Sequence, residues 1–236
     1  MKIDRDQIVD AALTILNEVG IDKLSTRLIA QRLGVQQPAL YWHFKGKHAL
    51  LAAMNTEMLK RSHTRNIPVP GESWQEFLRA NARSFRSALL AWRDGARVHA
   101  GTEADPSHLD AIEAQLECLL AAGFDPGRAL EIQIAIGRYV VGCVLEEQAD
   151  GADPSDQAAL DAAAERHPNL ARALAFYRAS GHEALFEAGL ELLIGGAGAA
   201  GGVGVRCDGF IRTASSFGLE GTAEIRSRAE VMSKHV

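Results

Sequence analysis

The chain has 236 residues, 47% hydrophobic and 23% charged, with a formal net charge of −5, an ordinary balance for a soluble globular protein of one or two domains. No run approaches 18 apolar residues, and the N-terminal MKIDRDQ lacks the apolar stretch of a secretion signal. These features predict a cytoplasmic chain without a membrane-spanning helix.

The charge is unevenly spread. Residues 1–65 hold ten Lys/Arg against six Asp/Glu, a balance of +4, and the remainder holds 15 against 24, a balance of −9. A basic head on an acidic body fits phosphate binding by the head alone. Cys118, Cys143 and Cys207 are odd in number and unclustered, and the first two fall inside apolar helical runs as small core residues.

In chain order, residues 5–19 place Ile8, Ala11, Ala12, Ile15, Leu16 and Val19 on one stripe, and Gly20 ends that helix. Ser25 is a good N-cap for a second helix carrying Leu28, Ile29 and Leu33, which Gly34 stops from the left-handed C′ position. Pro38 is tolerated only in a first turn, so a third helix is predicted over Gln37–Phe44. Two short helices joined by a tight Gly-containing turn make a helix-turn-helix. Leu40 and Phe44 face its core, and Gln37, Ala39, Tyr41, Trp42 and His43 lie on or near its other faces. They offer base-edge hydrogen bonds, a methyl for thymine and flat groups for the sugar-phosphate backbone. Arg27 and Gln37 suit guanine and adenine edges; Thr26, Tyr41, His43, Lys45 and Lys47 suit phosphates. The alternative is a buried aromatic knot in a helical bundle.

Residues 47–65 form a further helix with Leu50, Leu51, Met54 and Met58 inward, and Ile67–Gly71 breaks it. This divides the chain into 1–66, 67–194 and a Gly/Ala-rich tail, 195–236, predicted to be flexible. Ser73 opens a long helix with Trp74, Phe77, Leu78, Phe85 and Leu89. A short Gly95-containing piece, 93–99, leads into the loop 100–104, a plausible moving part. Asp105-Pro106 and Asp125-Pro126 open helices 107–122 and 128–147, the second apolar nearly all round. Shorter helices follow over 158–164, 169–180 and 182–194, the last through Leu185, Leu190, Leu192 and Leu193. Helices 128–147 and 182–194 suit a four-helix homodimer interface. Strand signals are weak, so the class is all-α. Thr222–Lys234 reads as a marginal helix.

Asn81, His99, Thr102, Gln115 and Glu146 are polar residues on helices or loops that should be buried. Singly, each is more often a satisfied structural group than a ligand contact. With His63 and Phe85 they make a site if they converge, which spacing alone does not establish.

The segment STRLIAQRLGVQQPALYWHFKGK, LYWHFKGKHALL most of all, resembles the DNA-reading end of the tetracycline repressor (TetR) family. The similarity continues through ESWQEFLRANARSFRSALLAWRDGARVHAGT and VVGCVLEEQ, covers roughly residues 3–194, and extends to the tetracycline-class sensor domain. It implies a homodimeric repressor that binds double-stranded operator DNA through Thr26, Arg27, Gln37, Pro38, Ala39, Tyr41, Trp42, His43 and Lys47. It further implies release by a tetracycline–Mg²⁺ complex and control of tetracycline resistance. His63, Asn81, Phe85, His99, Thr102 and Gln115 match drug contacts, with Ile112, Leu116 and Leu130 as apolar walls. His99, Thr102 and Glu146 match the metal surroundings, the carboxylate at Glu146 coming from the second subunit. Ala39 departs from a threonine, Glu103-Ala104 from an Arg-Pro pair, and Arg138 from a histidine. Three other readings stand beside this one: a repressor of the same type sensing a different aromatic polyketide, a metal-dependent hydrolase using His99 and Glu146, and a ligand-free architectural DNA binder.

Overall fold

The computed structural model describes residues 3–102, 105–149 and 154–199, and among these every regular element is helical. The first three helices are α1 (Arg5–Val19), α2 (Thr26–Leu33) and α3 (Pro38–Tyr41). Asp4 and Gln7 close a capping box at the start of α1. The Ser25 hydroxyl accepts from the Leu28 amide at 3.3 Å, and Gly34 ends α2 at φ 66°, ψ 30°, the left-handed geometry that a Cβ disfavours. The reading helix is shorter than the sequence predicts. Beyond Tyr41 the chain tightens, with the His43 and Phe44 amides both donating to the Leu40 carbonyl. Leu40 and Phe44 are nonetheless buried as expected.

α4 (Lys47–Ser62) is the long helix that leaves this head. Its Leu50, Met54 and Met58 pack with Ile8, Leu13, Ile15, Leu16 and Ile29 into one core. That core also contains Val98, fully buried, from a helix far downstream.

The second core is built by α5 (Trp74–Leu90), α6 (Gly95–Ala100), α7 (Leu109–Ala121), α8 (Pro126–Ala149), α9 (Pro154–Ala164) and α10 (Pro168–Ala199). Ser73 and Glu76 form the capping box of α5. Trp74, Phe77, Leu89, Leu119, Ile132, Ile136, Val140, Val144, Phe186 and Leu190 make up its centre. α6 sits against the end of α5 so tightly that a Cβ on Gly95 would collide with the Leu89 carbonyl oxygen. A 3₁₀ turn, Pro106–His108, precedes α7, with the Asp105 carboxylate accepting from the Ser107 amide at 2.9 Å.

Several details correct the sequence reading. The last two predicted helices do part at Gly181 (φ 71°, ψ 168°), but the second continues beyond residue 194 to Ala199. Gly195 and Gly196 therefore lie inside a helix, which Ala197, buried against the second core, and Gly198, beside the Trp74 ring, hold in place. Leu192 is 79% exposed, and Phe186 and Ile194 carry the buried stripe instead. On α8, Leu130 and Ile134 are exposed while Ile132, Ile136, Val140 and Val144 are buried. Residues 200–236, including the predicted helix 222–234, lie outside the described residues, as do Glu103 and Ala104.

Candidate effector cavity and DNA-reading face

Between α4, α5, α7 and α8, with His99, Thr102, Ser107 and His108 also on its wall, lies a cavity of about 720 Å³. The volume suits a drug-sized ligand. His63, Asn81, Phe85, His99, Thr102, Ile112, Gln115 and Leu130 all line it, so polar and apolar residues scattered from 63 to 130 in sequence converge on one space. One expected wall residue does not. Leu116, four residues further along α7 than Ile112, packs against the second core and is not on the cavity wall. Glu146 is exposed on α8 and does not share the cavity with His99. The hydrolase arrangement is thus not assembled within one chain, and no group of three or more His, Cys, Asp or Glu among the described residues could hold a metal by itself.

The polar groups are held from behind. His63 Nδ1 lies 2.9 Å from Ser84 Oγ, and the Asn81 amide nitrogen donates to the Arg65 carbonyl at 2.9 Å. The Gln115 amide nitrogen donates to the Asn66 carbonyl at 2.7 Å, and the Thr102 hydroxyl to the His99 carbonyl at 2.9 Å. With their donors engaged, Asn81 and Gln115 are oriented before any ligand arrives. The Phe85 ring stands between the two imidazoles, 5.6 Å from that of His63 and 5.0 Å, edge to face, from that of His99.

Burial keeps both imidazoles neutral. Desolvation, then the nearby His108 and His99, pushes His63 down to about 4, and desolvation, then His108, lowers His99. A neutral His99 has one ring nitrogen with a free lone pair. Asn55, 4% exposed, settles which one: its Oδ1 lies 3.1 Å from His99 Nδ1, so Nδ1 carries the proton and Nε2 is left to accept or ligate. Sequence reasoning missed Asn55, although an amide among Leu50, Leu51, Met54 and Met58 was a visible signal of a buried partner.

On the head, Arg27, Pro38, Tyr41, Trp42 and Lys47 are exposed, Trp42 at 90%. Thr26, Gln37, Ala39 and His43 are half-buried, and Ala39 also packs partly against the head core. The Gln37 amide nitrogen donates to Thr26 Oγ1 at 2.8 Å and approaches Tyr41 Oη at 3.4 Å. These three residues thus form a fixed array across α2 and α3. The exposure of Trp42, which caps α3, and of Tyr41 contradicts the buried-knot alternative.

Family models match both parts of the chain: "Bacterial regulatory proteins, tetR family" over residues 8–54 and "Tetracyclin repressor-like, C-terminal domain" over residues 67–200. The tetracycline repressor protein class A from transposon 1721 of Escherichia coli is 46% identical over 195 residues, spanning 83% of this chain and 90% of that one. Among solved structures, a variant TetR from Acinetobacter baumannii AYE in complex with minocycline superposes with a TM-score of 0.71 at 44% identity, covering 84% of this chain and 98% of that one. A class A TetR in complex with 5a,6-anhydrotetracycline and magnesium gives 0.64 at 40% identity, covering 82% and 97%. With its helix-turn-helix head, its helical sensor and these matches along nearly the whole described length, the chain belongs to the TetR family of bacterial transcriptional regulators, which are DNA-binding proteins and not enzymes.

Proposed function

We propose that this protein is a homodimeric repressor of a tetracycline-resistance gene, released from its operator when a tetracycline–Mg²⁺ complex enters the cavity between α4, α5, α7 and α8. The observation that carries the reading is the convergence of His63, Asn81, Phe85, His99, Thr102 and Gln115 on one cavity of about 720 Å³. Asn81 and Gln115 present amide oxygens, and His63 a neutral imidazole, to the amide and enol groups of a polyoxygenated ligand. Phe85, Ile112 and Leu130 supply the apolar walls of a planar ring system.

The residues fit a hard cation brought in by its ligand. His99 offers Nε2, with its tautomer set by Asn55, and Thr102 offers a hydroxyl beside it. One imidazole is too little to hold Mg²⁺, so the drug's keto-enolate oxygens and water would complete the shell, with the Thr102 hydroxyl orienting water. The ion when bound neutralises that enolate and locks it in place. Glu146, exposed on α8, would contribute its carboxylate across a dimer, where it can orient water.

On the DNA side, Arg27 and Gln37 would read base edges. Thr26, Tyr41, His43 and Lys47 would hold phosphates, with Pro38, Ala39 and Trp42 packing alongside. Two such heads in a cytoplasmic dimer would span successive major grooves roughly 34–36 Å apart. The test is a gel shift on the upstream intergenic DNA at several salt concentrations, with and without tetracycline and Mg²⁺. Binding with a steep salt slope, abolished by the chelate, is expected. A complex that survives saturating tetracycline and Mg²⁺ would refute the effector assignment.

A further inference from the structure

Five buried side-chain nitrogens have no hydrogen-bond partner among the described residues: Arg65 Nε, Trp74 Nε1, Arg86 Nε, Trp92 Nε1 and Gln133 Nε2. Two are accounted for by other pairings of the same group, and two sit in or against apolar cores away from the cavity. The guanidinium groups of Arg65 and Arg86 each pair through another nitrogen, with Glu72 and Glu147, both at 2.6 Å. The Trp74 indole is embedded in the second core, and the Trp92 indole packs against the head core. Gln133 alone of the five lines the effector cavity.

Its surroundings sharpen the point. α8 contributes Leu130, Gln133, Ile134, Ile136, Gly137 and Val140 to the cavity, so Gln133 is the single polar side chain on that wall. The other two cavity carboxamides on α5 and α7, Asn81 and Gln115, spend a donor on the Arg65 and Asn66 carbonyls. The Gln133 amide nitrogen has no such tie. A buried donor left unpaired is unfavourable unless something arrives to accept from it.

We infer that Gln133 is a specificity-determining contact of the cavity, donating a hydrogen bond from its side-chain amide to an oxygen acceptor on the ligand edge that faces α8. The inference rests on the effector reading above and deepens it. It requires a ligand oxygenated on more than one edge, with a carbonyl or ether-type oxygen toward α8 as well as the oxygens met by His63, Asn81 and Gln115. A site with a buried donor also rejects an analogue that lacks the matching acceptor.

The experiment compares wild type with Gln133→Leu, which removes the donor and keeps the volume. Each is titrated, in excess Mg²⁺, with tetracycline and with relatives that each lack one ring oxygen, and each is unfolded in urea without ligand. Gln133→Leu should bind tetracycline about tenfold more weakly. For one oxygen-deleted relative, wild type and variant should bind alike, which identifies the acceptor. The ligand-free variant should unfold at a higher urea concentration, because it no longer buries an unpaired donor; a packing role would move that midpoint downward. A wild type that binds no tetracycline would bring down the effector reading and this inference with it. A variant that binds every compound as wild type does, or that loses affinity together with stability, would overturn the inference alone.

Discussion

Asn55 and His99 face one another across the top of the cavity, Oδ1 to Nδ1 at 3.1 Å, and this contact joins the helix that carries the head to the helix that ends at the sensor loop. Because the amide oxygen can only accept, it fixes the imidazole with Nε2 free. Asn55→Ala should therefore reduce the gain in tetracycline affinity that Mg²⁺ provides, by about 10- to 100-fold, the usual effect of losing a group that orients a metal ligand. Asn55→Asp, which keeps an acceptor at the same place, should restore most of it. The ratio of dissociation constants in chelator and in Mg²⁺, measured for all three proteins, is the readout. Equal ratios in wild type and Asn55→Ala would show that the contact does not set the tautomer.

DNA recognition divides along the same lines of contact. Arg27→Ala should relax base preference and weaken specific binding by about 1–3 kcal/mol, while Lys47→Ala should weaken all duplexes alike and flatten the salt slope by about one. Thr26→Val removes the oxygen that orients the Gln37 amide at 2.8 Å, so it should lower specificity more than its own phosphate contact would explain. Competition between operator and random duplex separates the cases. If all three variants lose affinity equally for both duplexes, Arg27 and Gln37 are not the base readers.

His63 makes stability depend on pH. Its folded-state value is pushed down to about 4 from an ordinary 6.5, so the unfolded chain binds the proton more readily. The stabilisation is fully present above pH 6.5 and is lost as pH falls toward 4, by up to about 3 kcal/mol. Urea unfolding from pH 7 to 4 should show a shallower decline for His63→Asn than for wild type. Parallel declines would mean that burial does not hold this imidazole neutral.

Much of this was legible because it is local. Ser25, Gly34, Pro38 and Ser73 act within a turn or two of themselves, and each performs the capping or breaking role its residue type dictates. The site was legible in a different way. Residue chemistry marked Asn81, His99, Thr102 and Gln115 as out of place on buried helices, but only resemblance joined them. What escaped depends on which neighbour lies across a helix–helix contact. Asn55 and Gln133 look like stray amides until α6 and α8 are packed beside the cavity, and Leu116 differs from Ile112 only by its position one turn further along α7. Gly195 and Gly196 read as a linker because each Gly weakens a helix by about 1 kcal/mol relative to Ala, yet α10 runs through them where Ala197 is buried against the second core.

Ligand and DNA should oppose one another through the segment 93–98. There the Asp94 carboxylate accepts from the Ile21 amide at 2.9 Å, Arg93 donates to the Glu18 carbonyl at 3.0 Å, and Arg97 pairs with Asp22 at 2.7 Å, all at the end of α1 or on the turn after it. A ligand that shifts α6 therefore pulls on the head directly. Reciprocity requires operator DNA to weaken tetracycline binding by the same factor by which tetracycline weakens DNA binding, a coupling on the order of 1–3 kcal/mol. Equal drug affinity for free and operator-bound protein would eliminate this route.

Val98 gives that same segment a second meaning. Its side chain completes the core of residues 3–58 although it lies forty positions beyond Met58 in the chain, so the head cut out at residue 66 would be left with a hole where Val98 belongs. Anyone grafting this reading head onto another sensor would have to transplant a valine, and the α6 turn that aims it, from the part of the sequence that was to be discarded. The seam between recognition and sensing runs through the packing of one aliphatic side chain, which makes these two functions hard to inherit or exchange separately.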